Sequence, residues 1–141
     1  MEVLIVEKDP LIRDQVKVGL QQFPDFHVTV GTGLAGINEV RGHQFDCVFL
    51  GVDPQQKDTG KLLPHLRSFD TTTEVFVLTA ARNVRDMAVD KSKYNIHSFV
   101  QTPIVVKELF GLISRFVARR SEKQSAPQRK QGRNQPQGSA R

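Results

Sequence analysis

The chain has no tryptophan, one tyrosine and a single cysteine, Cys47. One thiol cannot close an internal disulfide, nor can it supply the cysteine cluster of a structural metal site. Cys47 stands inside the apolar stretch FDCVFLGV, where a free thiol reads as a small buried hydrophobe. No apolar run approaches the about 20 residues that a membrane-spanning helix requires. The opening residues MEVLIVEKDP carry acids, have a short apolar run and are followed by no small-residue cleavage site, so they do not read as a signal peptide. The expectation is a cytoplasmic protein with no membrane partner. His27, His43, His65 and His97 are scattered without metal-ligand spacing. Gly31-Thr32-Gly33 lacks the third glycine of a dinucleotide loop and follows the second strand, so it reads as a turn. Lys57-Asp58-Thr59-Gly60 does not match a phosphate loop, and no Ser or Thr has a paired base. Nothing here predicts an enzyme.

What is present begins with charge. The formal charge is +5, but it is placed unevenly. From Ala118 onward Arg119, Arg120, Lys123, Arg129, Lys130, Arg133 and Arg141 face one acid, Glu122, which makes this segment +6 and leaves residues 1–117 at −1. The basic isoelectric point thus belongs to the tail, and a nucleic-acid-binding body does not follow from it. The tail itself offers cations for phosphates but no aromatic side chain for base stacking. From Ser121 its composition of Gln, Arg, Ser, Pro and Gly cannot bury enough surface to offset ordering entropy. The expected division is a folded domain over 1–118 and a disordered basic tail or linker over 119–141.

Within the body, five short apolar runs alternate with amphipathic stretches. Strands are predicted at Glu2–Glu7, Phe26–Val30, Phe45–Val52, Glu74–Ala80 and Ile96–Gln101. Asp9-Pro10 is an N-cap followed by a first-turn proline, and Ile12, Val16, Leu20 and Phe23 continue at helical spacing up to Pro24. Further helices are predicted over Leu34–Val40, Lys61–Phe69 (with Pro64 near its start) and Arg82–Lys91. A last one begins after Thr102-Pro103, with an apolar stripe of Val106, Leu109, Phe110, Ile113 and Val117. Strands that are apolar throughout, rather than alternating, are covered on both faces. The pattern predicts an α/β, flavodoxin-like (βα)5 doubly wound parallel sheet of strand order 2-1-3-4-5. Function in such sheets gathers at the carboxyl ends of the strands.

Four segments, VLIVEKDP, DCVFLGV, VFVLTA and FVQTP, stand in order at those strand ends. Together they resemble the receiver domain of two-component response regulators over about residues 2–118. The resemblance implies a site. In that family two acids after the first strand and an aspartate ending the third hold Mg²⁺, and that aspartate accepts a phosphoryl group. A Thr or Ser ends the fourth strand, and a Lys precedes a proline after the fifth. Here the acidic pair falls on Glu7 and Lys8, the acceptor on Gly51, the hydroxyl on Thr79, the Lys on Thr102 and the aromatic switch residue on Phe99.

Glu7 and Thr79 keep a suitable group; the other three positions do not. Gly51 has no nucleophile, so no acyl phosphate forms there. Mg²⁺ takes oxygen ligands, and an ammonium from Lys8 pointing into the pocket would repel it by about 4 kcal/mol per charge pair at ~4 Å and an effective dielectric of about 20. Thr102 supplies no cation for phosphate oxygens. The expectation is a degenerate pseudo-receiver with no cofactor, acting by protein–protein contact. An alternative uses Asp53, two residues past Gly51 and of the same strand parity, as the phosphoacceptor, with Glu7 and Asp9 completing a Mg²⁺ site. The simpler readings are that Asp53-Pro54 forms a turn and that Asp9-Pro10 is a cap.

In the family the fourth helix, fifth strand and fifth helix form the usual partner and dimer surface. Here that face would include Arg82, Arg85, Phe99, Gln101, Ile104, Val105 and Lys107, with a signalling protein, an output domain or a second copy as partner. The chain also fits the N-terminal regulatory part of a longer transcriptional regulator.

Overall fold

The computed structural model describes residues 1–53, 57–81 and 93–131, the side chains of 57–58 and 122–131 excepted. A first unit spans Met1–Val106, and a second begins at Lys107. The predicted helix Arg82–Lys91 and Pro54 lie outside the described residues.

The first unit is built on five parallel strands: β1 (Glu2–Val6), β2 (His27–Gly31), β3 (Cys47–Gly51), β4 (Glu74–Thr79) and β5 (Ile96–Gln101), in the order β2-β1-β3-β4-β5. This is the predicted flavodoxin-like α/β sheet. All five residues of β3 are buried, as are Val3–Val6 of β1 and Val75–Thr79 of β4, whereas no residue of the edge strand β2 is more than half-buried. Strand parity divides the core between the two faces of the sheet. Leu4, Val6, Val48, Leu50, Val75 and Val77 join one buried cluster with Ile37 and Val40 of α2 (Gly33–Gly42) and Leu62, Leu63 and Leu66 of α3 (Leu62–Arg67). The other parity carries Phe49 and Phe76, register partners whose rings stack at 4.7 Å and 13°. Each fully buried side chain of this size stabilises the fold by about 1.5–3 kcal/mol.

Helix α1 (Pro10–Leu20) starts as the sequence predicts. The Asp9 carboxylate accepts from the Leu11 N–H at 2.9 Å, and Pro10 occupies the first helical position. Replacing Asp9 with Ala should cost about 1 kcal/mol, read as a lower urea midpoint with an unchanged slope. The start of α3 differs from expectation. A 3₁₀ turn over Lys57–Lys61 precedes it, and Pro64 falls in the first turn, where its missing N–H leaves no intrahelical bond unmade. At the end of β2, a Cβ on Gly31 would lie 2.6 Å from the Gly36 Cα, so this pair of glycines lets strand and helix meet backbone to backbone.

Arg67 closes the amino-end loops. Its guanidinium donates to four carbonyls, Tyr94 (2.8 Å), Thr73 (2.8 Å), Asp70 (3.2 Å) and Asn95 (3.2 Å), and lies 3.9 Å from the Asp70 carboxylate.

Helix α4 (Val106–Gln131) departs from the sequence reading in two ways. Its buried residues are Leu109, Ile113 and Phe116, while Val106 and Phe110 of the predicted stripe are exposed. The heptad-like spacing of apolar residues allowed two overlapping faces, and helical periodicity alone cannot choose between them. The helix also runs past Ser121, where a disordered tail was expected. Apart from Pro127 and two serines, the residues of this stretch are good helix formers, so a composition that builds no core can still favour a helix.

Candidate functional site

The carboxyl ends of the strands open into a cleft of about 970 Å³. Register dictates what meets there. Val6 pairs with Leu50 and Gly51 with Leu78, so the next residue along β1, Glu7, comes to lie beside Gly51. A Cβ built on Gly51 would collide with Glu7 Oε1 and sit 2.8 Å from its Cδ. The Glu7 carboxylate therefore fills the space that an acceptor side chain would need. Its other oxygen, Oε2, accepts from the Asp9 N–H at 2.9 Å. Burial raises the Glu7 pKa, opposed by hydrogen bonds from the Asp9 and Lys8 backbones.

A carboxyl whose folded pKa exceeds its unfolded value stabilises the fold while protonated, and that contribution is lost as pH rises through the folded pKa. Glu7→Gln should therefore gain stability over the parent chain as pH rises above the ordinary Glu value of 4.5, and lose that advantage below it. Urea melts of both chains from acid to neutral pH test this; a constant difference would show that Glu7 does not titrate anomalously.

The remaining predicted positions are brought together as the register requires. Thr79 is buried at the end of β4, where its hydroxyl oxygen accepts from the Ala81 N–H at 3.0 Å and its carbonyl accepts from the Thr102 N–H at 2.8 Å. Thr102 is buried too, ahead of a cis peptide bond to Pro103. Lys8 lines the cleft but is exposed, so the repulsion expected of an ammonium inside the pocket is screened by solvent; what the substitution removes is a carboxylate.

The residues of the alternative set, Asp9 and Asp53, lie at a helix cap and in the loop after β3. β3 ends at Gly51 without a slip, because the Val52 N–H donates to the Leu78 carbonyl at 2.9 Å. Asp53 reaches the cleft from the loop beyond. There its N–H donates to Thr59 Oγ1 at 2.8 Å, and that hydroxyl donates back to the Asp53 carbonyl at 3.0 Å. The Asp9 carboxylate is engaged at the helix cap. Among the described residues no group of three or more His, Cys, Asp or Glu side chains is placed to hold a metal ion.

On the expected partner face, Ile104 is a correction: it is buried at 7% exposure and offers nothing to a surface. Phe99 is half-buried and packs against the core cluster. Gln101 is exposed and donates to the Ala81 carbonyl at 3.4 Å, while Val105 and Lys107 are exposed. Arg82 and Arg85 lie outside the described residues.

Several cleft residues escaped the sequence reading. Leu11 and Leu34 stand near the starts of α1 and α2, and Lys61 precedes α3. The available signal was their place: the first turn of a helix that follows a strand lies at that strand's carboxyl end. Two of the histidines, far apart in sequence, share a partner that no local pattern indicates. At the opposite end of the sheet, Glu2 accepts from His27 (2.8 Å) and His43 (3.1 Å), and these bonds hold its carboxyl below the usual range.

A doubly wound five-stranded parallel sheet with its cleft at the strand carboxyl ends defines a class of α/β signalling and nucleotide-binding folds. The model of the response regulator receiver domain matches residues 3–114, and the chain belongs to that family. Solved structures agree on the fold. A CheY-like receiver domain protein from Methanospirillum hungatei superposes with a TM-score of 0.69 at 16% identity, covering 86% of this chain and 97% of its own. A response regulator from Thermotoga maritima gives 0.69 at 19%, covering 83% and 97%. The BeF3-activated DrrB receiver domain gives 0.65 at 20%, covering 83% and 97%. No curated protein matches the sequence.

Proposed function

We propose that this receiver domain is a pseudo-receiver: a non-enzymatic module that works through protein contacts without being phosphorylated. The observation that carries the reading is the pair Glu7 and Gly51. The acceptor position has no side chain, and the Glu7 carboxylate stands where one would go. Lys8 and Thr102 remove the second acid and the phosphate-pairing cation that the family's chemistry uses. Partner contact is favoured by the large apolar side chains that the first unit leaves in water, among them Val105 and Val106, 54% and 51% exposed. The partner is a signalling protein, an output domain or a second copy of the chain, and the setting is the cytoplasm.

The test is incubation with acetyl phosphate, and separately with beryllofluoride, in the presence of Mg²⁺. The intact mass should stay unchanged, and the amide resonances of Glu7, Gly51, Thr79 and Thr102 should not move. Gain of a phosphoryl group, or a stable beryllofluoride shift around Asp53 and Thr79, overturns the proposal.

A further inference from the structure

We infer that the cleft at the strand carboxyl ends binds, without covalent chemistry, an uncharged and largely apolar small molecule that presents a carbonyl oxygen. The inference rests on the pseudo-receiver reading, since a cleft committed to phosphoryl transfer and Mg²⁺ would have no room for such a ligand.

The size fits: about 970 Å³ falls at the upper end of the ~300–1,000 Å³ typical of small-molecule sites. The walls are apolar at the rim. Leu11 is 66% exposed and Leu34 50%, two large aliphatic side chains left in water on opposite helix starts, with Leu78 deeper in the lining. A ligand with an apolar body covers them.

The polar end is fixed by two buried hydroxyls. Thr79 is 4% exposed and Thr102 9%, and both line the cleft. The Thr79 oxygen already accepts from the Ala81 N–H, so its proton is left to donate; among the described residues it has no acceptor. The Thr102 hydroxyl makes no hydrogen bond to any described residue. Buried hydroxyls are ordinarily satisfied, and two that line one cleft with donor capacity left among the described residues point to an acceptor oxygen supplied from outside. The backbone bond between Thr102 and Thr79 holds the two strand ends together at the cleft.

Charge selects against an anion. Lys8 and Lys61 line the cleft together with Glu7, Asp9 and Asp53, so the lining has no positive excess to hold a carboxylate or phosphate. A protein partner is disfavoured by depth, since hydroxyls this buried sit beyond the reach of a flat surface.

The probe is a neutral diethylamino-methylcoumarin dye, which has an apolar ring body and a lactone carbonyl, titrated into the full chain and read by fluorescence and by amide shifts. Saturable one-site binding is expected, with shifts at Thr79, Thr102 and Leu34. The double variant Thr79→Val/Thr102→Val should weaken it about tenfold. Leu34→Glu, at a half-exposed position that leaves folding intact, should weaken it by a similar factor. The ring-carboxylated analogue of the dye should bind at least as weakly as the double variant binds the neutral dye. The inference is overturned by any of three results: no saturable signal up to the solubility limit of the dye, unchanged affinity in a folded double variant, or tighter binding of the carboxylate. These outcomes are independent of the phosphodonor experiment, so the ligand proposal and the pseudo-receiver reading fail separately.

Discussion

Restoring an aspartate at the acceptor position alone, as Gly51→Asp, should give a chain that still takes no phosphoryl group from acetyl phosphate and is less stable by about 2 kcal/mol or more. The new Cβ would displace the Glu7 carboxylate, which lies against Gly51 and accepts from the Asp9 N–H. Gly51→Ala isolates that step. Glu7 is a flexible side chain that can swing aside, so the cost is mainly a hydrogen bond to an ionised acceptor, about 1.5 kcal/mol. The aspartate adds a second carboxylate next to the first, a repulsion that disappears once either is protonated. Urea melts of the three chains should therefore separate Asp from Ala at neutral pH and bring them together in acid. On the pseudo-receiver proposal, labelling should stay absent in Gly51→Asp, because Lys8 supplies no second acid and Thr102 no cation. The triple variant Lys8→Asp/Gly51→Asp/Thr102→Lys should be the first to gain a phosphoryl mass with Mg²⁺. Full labelling of Gly51→Asp alone would show that Lys8 and Thr102 are not deficits.

Arg67→Ala should be the most destabilising single truncation at the opposite end of the sheet, costing about 3 kcal/mol. The Arg67 side chain is 9% exposed and donates to four carbonyls drawn from the segments around Asp70–Thr73 and Tyr94–Asn95. Removing it leaves those carbonyls without their partner and takes a cation from beside Asp70. Arg67→Lys should recover less than half of the loss, because a compact ammonium cannot span four acceptors laid out for a planar fork. The Asp70 carboxyl gives an independent readout. Burial pushes its pKa up, but bonds from Thr73 and Thr72 and the charge of Arg67 outweigh that and leave it lowered. Its contribution is present above the unfolded pKa and lost as pH falls through the folded one, so Arg67→Ala should lose more stability at neutral pH than in acid. Equal losses at both pH values would mean that the carbonyl contacts carry the whole effect.

The sheet was legible in the residues because burial on both faces leaves a local signature. EVLIV, CVFLG and EVFVLT are apolar without alternation, which only a strand covered on both sides tolerates. Asp9-Pro10 likewise announced the start of α1 through chemistry confined to three residues. The absence of a nucleophile at Gly51 could be read as soon as the third strand was placed. Reading failed where the answer depended on distant contacts. The choice between two overlapping apolar stripes on α4 depends on which face is covered, and the buried position of Ile104 on what surrounds it. The convergence of His27 and His43 on Glu2 joins residues far apart in the chain, and only the pairing of β1 with β2 brings His27 to Glu2.

The strands of the α/β sheet, and the residues at Lys8, Gly51 and Thr102, could be read from single residue identities and short-range periodicity, and the strand order from the crossover rules for such sheets. What surrounds those three positions came from register and helix packing. They set the Glu7 carboxylate in the space at Gly51, bury the hydroxyls of Thr79 and Thr102 in the lining of one cleft, and leave Leu11 and Leu34 exposed in the same lining. Such juxtapositions follow from inter-strand register and helix placement, which bring together residues that share no local pattern.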